Sequence, residues 1–253
     1  MTTVLITGGN RGLGRAVAEE LAGQGMTVIV GARQAGDGAE IARRIGGGAT
    51  AVQLDVTDPP SIRRSAAWID EHHGGLDILI NNAGVLPEAT SQAAEVVDLG
   101  LFQQTYATNV FGPVAVLEAF LPQLRRSPQG RIVNVSSTMG SLTDQTDPRS
   151  PYYDMIVPAY QSSKAALNSI TIMLAKALAD TSIKVSSVCP GFVQTDLTPI
   201  NREQAPLTVT QAAKVVVSAA TLPDDGPTGS DDPRDGGPGT SSEDNRLRDG
   251  ISG

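Results

Sequence analysis

The sequence predicts a doubly wound α/β fold, a parallel sheet covered by helices on both faces. Three observations carry that prediction. Six short apolar runs, rich in β-branched residues, alternate with stretches of helical character. The first run ends in glycines that open directly into a helix-like segment. Finally, 253 residues with no fixed-period repeat and no internal linker suit one large, well-buried domain.

Taken in order, Val4-Leu5-Ile6 is the first strand, and Arg15–Leu21 reads as the helix after the glycines. Thr27–Val30 is the second strand, followed by a polar-faced helix around Ala39–Ile45 and a short strand at Ala51–Leu54. Helical Ile62–Glu71 leads into the strand Leu76–Ile80. A long helical region from about Ala93 to Leu124 precedes the fifth strand, Arg131–Val135. Tyr160–Ala179 is helical, Ile183–Val188 is the sixth strand, and Val209–Leu222 is again helical. The domain so defined covers residues 1–228.

Residues 229–253 form an acidic tail rich in Gly, Pro, Asp and Ser, whose large apolar residues are Leu247 and Ile251. Such a composition buries too little apolar surface to offset the entropy of ordering, so disorder is expected there. The net charge of −8 is uneven: from Pro223 on, eight acids face three arginines. That balance argues against nucleic acid or an anionic membrane as a partner. A single cysteine, Cys189, excludes an internal disulfide framework and fits a reducing compartment. The N-terminal stretch Met1–Gly9 lacks a basic region, and no apolar run nears the ~20 residues that span a bilayer, so a cytoplasmic location is expected.

Thr7-Gly8-Gly9-Asn10-Arg11-Gly12-Leu13-Gly14 lies between a strand and a helix. There glycines permit a tight turn and let a pyrophosphate approach the backbone at a helix N-terminus. The spacing, G-x-x-x-G-x-G, resembles the cofactor motif of the short-chain dehydrogenases/reductases. Four further matches follow in that family's order: Asp55-Val56, Asn81-Asn82-Ala83-Gly84, Tyr160-x-x-x-Lys164, and Pro190-Gly191. Together they span residues 4 to about 222. The resemblance implies a Rossmann fold with strand order 3-2-1-4-5-6, oxidoreductase activity of the carbonyl-reductase type, and a nicotinamide dinucleotide held at Gly8, Asn10, Arg11, Gly12, Leu13 and Gly14. By the same resemblance Asp55 and Val56 flank the adenine, and Asn82, Ala83 and Gly84 run beside the adenosine ribose. Pro190, Gly191, Val193 and Thr195 complete the site, with Thr195 at the nicotinamide carboxamide.

The second strand runs on into Gly31-Ala32-Arg33, with no acid before Asp37 to bind a ribose 2′-hydroxyl. Arg33 and Arg11 instead offer cationic forks suited to a phosphate, unless they are simply solvated surface arginines. In the resembling family this arrangement implies NADP(H).

Residues i and i+4 share a helix face, with Cβ atoms ~5–6 Å apart. Tyr160 and Lys164 meet that condition, whereas Tyr152 and Tyr153 have Ile156 and Val157 at i+4. A neighbouring ammonium favours phenolate and is expected to lower the tyrosine below its usual ~10, towards general acid–base use. A half-buried tyrosine beside a snorkelling lysine is the plainer alternative. The resemblance implies that Tyr160 gives the proton, that Ser137 polarises the carbonyl with Ser136 as its alternate, and that Lys164 tunes the tyrosine and holds the nicotinamide ribose. It further implies that Asn109 holds a water linking Lys164 to solvent; local bonding to its own helix is the alternative. A non-catalytic dinucleotide-binding regulator on the same fold is the competing function class, and an enzyme impaired by its aberrant C-terminus would keep every one of these motifs.

Two departures stand out. From Ser137 to Tyr160 is 23 residues, and the extra segment, roughly Leu142–Val157, is expected to place Tyr152 or Tyr153 either on the substrate wall or in ordinary loop packing. The loop Phe192–Pro206 is the other wall, and with Leu197, Pro199, Ile200 and the adjacent Leu207 it suggests a partly apolar carbonyl or alcohol substrate. Near Gly229 the family's seventh strand is doubtful, since Ser230–Asp235 is not strand-like, as a change of reading frame would produce. A missing edge strand would weaken assembly, which leaves monomer and homo-oligomer both open.

Overall fold

The computed structural model describes residues 1–91 and 95–230. Alternating elements follow the sequence: β1 (Thr3–Thr7), α1 (Gly12–Gly23), β2 (Thr27–Ala32), α2 (Ala35–Ile45), β3 (Thr50–Gln53), α3 (Pro59–His73) and β4 (Ile78–Asn81). After β4 come a 3-10 turn (Pro87–Ala89), α4 (Leu99–Tyr106), a π-helical segment (Ala107–Phe111), α5 (Gly112–Arg126) and β5 (Arg131–Val135). A 3-10 turn (Thr138–Gly140), α6 (Leu142–Thr146), α7 (Pro158–Ala177), β6 (Lys184–Val188), α8 (Pro199–Gln204), α9 (Val209–Ala220) and β7 (Gly229–Ser230) complete the order.

All described strand pairs are parallel, in the order β3-β2-β1-β4-β5-β6-β7. Strand alternation divides the core. Val4 and Ile6 face a layer with Leu13, Val17 and Leu21 of α1 and Val216 and Val217 of α9. Leu5, Ile29, Leu79 and Ile132 face the opposite layer, filled by Ile62 and Ile69 of α3 and Val116, Phe120 and Leu124 of α5. The strand order reverses between β1 and β4, so their carboxyl ends open the crevice where such sheets bind ligands.

Local signals explain the helix ends. Asp58 caps α3 by accepting from the Ser61 amide, Pro59 opens the helix, and Gly74 closes it in the left-handed region at φ 74°. Thr208 and Gln211 form a reciprocal capping box on α9.

Two expectations change. The long helix from about Ala93 starts instead at Leu99, capped by Asp98, and is interrupted by the π-helical turn. Pro113 has no amide to donate to the carbonyl of Asn109, and the Gly112 amide reaches back five residues to Ala107. Ala93 itself lies outside the described residues. The seventh strand is present, though only two residues long: Gly229 and Ser230 pair with Ser186 and Ser187. The disorder expected of the tail therefore does not hold for its first two residues, and residues 231–253 lie outside those described.

A buried polar chain crosses the sheet to α7. Asn81 Nδ2 donates to Asn134 Oδ1 at 2.9 Å, Asn134 Nδ2 donates to Thr171 Oγ1 at 2.9 Å, and Thr171 Oγ1 donates to the Leu167 carbonyl at 2.8 Å. Three elements, β4, β5 and α7, are thus fixed in one register within a low-dielectric interior.

Candidate active site

The glycine loop turns from β1 into α1 with Gly8 at φ 62° and Gly12 at φ 51°. Gly14 is required for a different reason. A Cβ there would lie 2.4 Å from Asn82 Nδ2 and 2.6 Å from the Gly8 carbonyl oxygen. Asn82 Nδ2 donates to the carbonyls of Thr7 (2.9 Å) and Gly8 (3.2 Å), while the amides of Asn82 and Ala83 both donate to Thr7 Oγ1 at 3.0 Å. The Asn81–Gly84 turn is therefore the clamp that holds the loop open.

At the start of α1, Arg11 makes no side-chain cap bond and the first turn holds no acid, so the positive end of the helix faces outward for an anion. Leu13 is buried in the core, and Thr195 lies against Gly12, its Cγ2 3.5 Å from where a Cβ would stand. These features fit a dinucleotide pyrophosphate, with the amides around Asn10–Leu13 able to hold it. Ala32, buried at the end of β2, offers no carboxylate. Arg11 and Arg33 are exposed, and neither has an ion-pair partner among the described residues.

Asp55 accepts from the Thr57 amide and hydroxyl at 2.9 and 2.7 Å, which fixes the β3 exit. Val56 is buried against Gly112, and Val193 belongs to the core, its carbonyl accepting from Asn201 Nδ2 at 3.0 Å. Gly191 adopts φ 86°, left-handed, after Pro190.

Tyr160 and Lys164 stand on the first turns of α7, 7% and 5% exposed. The ammonium lies 5.6 Å from the ring centroid and donates to the Val135 carbonyl at 2.9 Å, at the end of β5. Burial pushes the phenol well above the usual tyrosine range, the charge Cys189 carries when ionised adds to it, and a hydrogen bond with Ser137 opposes them. The expected lowering by Lys164 is thus corrected: desolvation of the phenolate outweighs an ammonium that is engaged elsewhere. Burial likewise lowers Lys164, to about 8, with Cys189 opposing.

Ser137 is brought to Tyr160. It caps the 3-10 turn after β5, its Oγ accepting from the Met139 amide at 3.1 Å. The alternate, Ser136, is buried with no hydrogen-bond partner for its hydroxyl among the described residues. Asn109 lies on the π-helical turn and bonds neither of its helix neighbours. Its Oδ1 accepts from the Val85 amide at 2.9 Å, and its Nδ2 donates to the Val85 carbonyl at 2.9 Å and to Ser163 Oγ at 3.1 Å. Local bonding is thereby excluded, and Asn109 Oδ1 and Lys164 Nζ converge beside Gly84, 3.6 and 3.8 Å from its Cβ position.

Tyr152 is half-buried and Tyr153 is exposed. A cavity of about 200 Å³ beside the start of α7 is lined by Ile156, Pro158, Phe102, Glu88, Glu95 and Asp98, and neither tyrosine reaches it. Two residues of the site were missed from sequence. Cys189 read only as evidence of a reducing compartment, yet its sulfur accepts from the Thr138 amide at 3.3 Å and acts on both Tyr160 and Lys164. Glu88 was not singled out at all, yet its carboxylate accepts from the Ala159 and Tyr160 amides at 2.9 and 2.8 Å. The signal for it lay in Val157-Pro158, a helix start with no capping side chain.

The short chain dehydrogenase family profile matches residues 2–206, and the chain belongs to the short-chain dehydrogenase/reductase family, whose members are oxidoreductases that bind a nicotinamide dinucleotide. It is 36% identical to the short-chain dehydrogenase anuI of Penicillium roqueforti over 231 residues, covering 86% of this chain and 88% of that one. It is 30% identical to (-)-isopiperitenone reductase of Mentha piperita, covering 91% and 96%. Among solved structures it resembles NADPH-bound carbonyl reductase from chicken fatty liver, with a TM-score of 0.77, 28% identity, and coverage of 88% and 93%.

Proposed function

We propose that this protein is a cytoplasmic, NADPH-dependent carbonyl reductase that reversibly converts a partly apolar ketone or aldehyde to its alcohol. The observation that carries the reading is the meeting of buried Tyr160 and Lys164 with half-buried Ser137 at the carboxyl end of β5. The bound cofactor supplies the hydride. Tyr160, kept protonated by burial, gives its proton to the substrate oxygen, and the Ser137 hydroxyl shares the charge developing there. Lys164, drawn from the Val135 carbonyl, would hold the nicotinamide ribose, with Asn109 beside it.

Support for NADP(H) over NAD comes from Ala32 and from the exposed guanidinium groups of Arg33 and Arg11, which have no ion-pair partner among the described residues. The similarity to an NADPH-bound carbonyl reductase supports it further. The test is cofactor consumption at 340 nm against a panel of ketones, aldehydes and quinones. Turnover with NADPH that vanishes in Tyr160→Phe while NADPH still binds is the expected result. No turnover of any compound would favour a non-catalytic dinucleotide-binding regulator. Ala32→Asp with Arg33→Ala should shift preference towards NADH, and unchanged NADPH preference would refute the cofactor assignment.

A further inference from the structure

The helix that carries Tyr160 begins without a cap of its own. Its N-cap is Val157, which has no side-chain acceptor, and Pro158 follows with no amide to satisfy. The next two amides, of Ala159 and Tyr160, are still unclaimed by the helix. Both are taken by one carboxylate 71 and 72 residues away in sequence: Glu88 Oε1 accepts from Ala159 at 2.9 Å and Oε2 from Tyr160 at 2.8 Å. Glu88 sits in the 3-10 turn Pro87–Ala89, on the strap that leaves β4.

That strap is anchored at two earlier points. Asn82 clamps the glycine loop through the Thr7 and Gly8 carbonyls, and Asn109 holds Val85 by both its amide and its carbonyl. Glu88 is the third anchor, and it ends on the backbone of the residue whose phenol faces Ser137. A cap supplied by the residues immediately before the helix would satisfy the same amides but would leave α7 free to shift along its axis relative to the strap. The bidentate geometry removes that freedom.

We propose that Glu88 is a positioning residue for Tyr160: as a remote cap it ties the first turn of α7 to the strap that also clamps the glycine loop, and so sets the phenol at a fixed place relative to both. The inference rests on Tyr160 being the proton donor. Glu88 itself touches no reacting atom.

The test separates capping from tethering in the full-length chain. Glu88→Ala removes both, and adding Val157→Asp to it supplies a local cap without the tether. Thermal midpoint, kcat and KM are measured with whichever carbonyl compound the wild type reduces. Glu88→Ala should lose ~10- to 100-fold in kcat with KM for the carbonyl compound little changed, because misplacement by about 1 Å is enough for such a loss. The double variant should recover the thermal midpoint but not kcat. Recovery of both would overturn the proposal in favour of plain capping, as would unchanged kcat in Glu88→Ala.

A substrate-free readout keeps failure of the functional reading distinct from failure of this one. The phenol of Tyr160, isolated as the ultraviolet difference from Tyr160→Phe, senses Lys164, Cys189 and Ser137 around it and Glu88 through its own amide. Read at neutral pH, that difference band should move towards the shorter wavelengths of a solvated phenol in Glu88→Ala carrying Val157→Asp, where the local cap leaves the ring untethered; a band unchanged from the wild type would overturn the proposal even if no carbonyl compound were ever reduced.

Discussion

Gly140 packs so tightly on Lys164 that a Cβ placed on the glycine would lie 2.6 Å from the lysine carbonyl carbon and 2.7 Å from the Ala165 amide nitrogen. The obstacle is helix backbone, which cannot swing aside. The turn bearing Ser137 can therefore reach Tyr160 only with a glycine at this position. Gly140→Ala should destabilise the protein by ~1–3 kcal/mol, as overpacking does, and lower kcat by about 100-fold by moving Ser137 off the phenol. Urea unfolding and steady-state kinetics check the two effects separately.

Lys164 makes stability depend on pH. Its folded value of about 8 lies below the ordinary 10.5. Between those values the unfolded chain binds more protons than the folded one, so stability rises with pH across that window. Tyr160 has the opposite sign, because its raised value makes the folded state hold the proton longer and erodes stability above pH ~10. From about pH 7.5 to about 9.5 the wild type should gain ~2 kcal/mol from the lysine. In Lys164→Met that gain should be absent, as followed by urea unfolding at each pH.

Arg131, 4% exposed, holds the end of α9 in place. Its guanidinium donates to the carbonyls of Leu222 (2.9 and 3.1 Å), Gly130 (2.9 Å) and Ser182 (3.4 Å) and to Asp224 Oδ1 at 2.7 Å. Asp224 stands in solvent, so its share is screened, whereas the carbonyls have no other described donor side chain. Arg131→Met should lose about 3 kcal/mol of stability and Asp224→Asn far less, both measured by chemical unfolding. The Asp224 carboxyl is held below the usual range by Arg131 and Gln129, so whatever it adds is present at neutral pH and lost in acid.

Under the proposed function, Asn82 would act on the cofactor through the loop it clamps. With Asn82→Ala the carbonyls of Thr7 and Gly8 lose their donor and the glycine loop its fixed shape. NADPH should then bind ~10-fold more weakly, the equivalent of about one lost hydrogen bond, by titration of nicotinamide fluorescence. A Kd equal to that of the wild type would show the loop to be shaped without the clamp.

Much of this was legible in the chain, for identifiable reasons. Val4-Leu5-Ile6 announces a strand buried on both faces, and the glycines after it announce the turn, because these are properties of adjacent residues. Tyr160 and Lys164 are one helical turn apart by arithmetic. What adjacency cannot supply is burial and long-range partners. The lysine beside Tyr160 suggested a lowered phenol, and the depth of the site reversed the sign. The bond from Glu88 to α7 crosses 71 residues, and the bonds between Asn109 and Val85 cross 24. The π-helical turn was hidden because apolar periodicity continues through Gly112-Pro113 while the hydrogen-bond ladder does not.

At the far side of the sheet, the seventh position is filled by unusually little material. Gly229 and Ser230 cover Ser186 and Ser187, and the Thr228 hydroxyl completes the row, accepting from the Val185 amide at 3.0 Å and donating to its carbonyl at 3.2 Å. One side-chain oxygen thus substitutes for a peptide unit. Among the described residues, three alone shield that side of β6, where an uncovered strand would offer another chain's strand a template, so a substitution such as Thr228→Val would bare the Val185 peptide first.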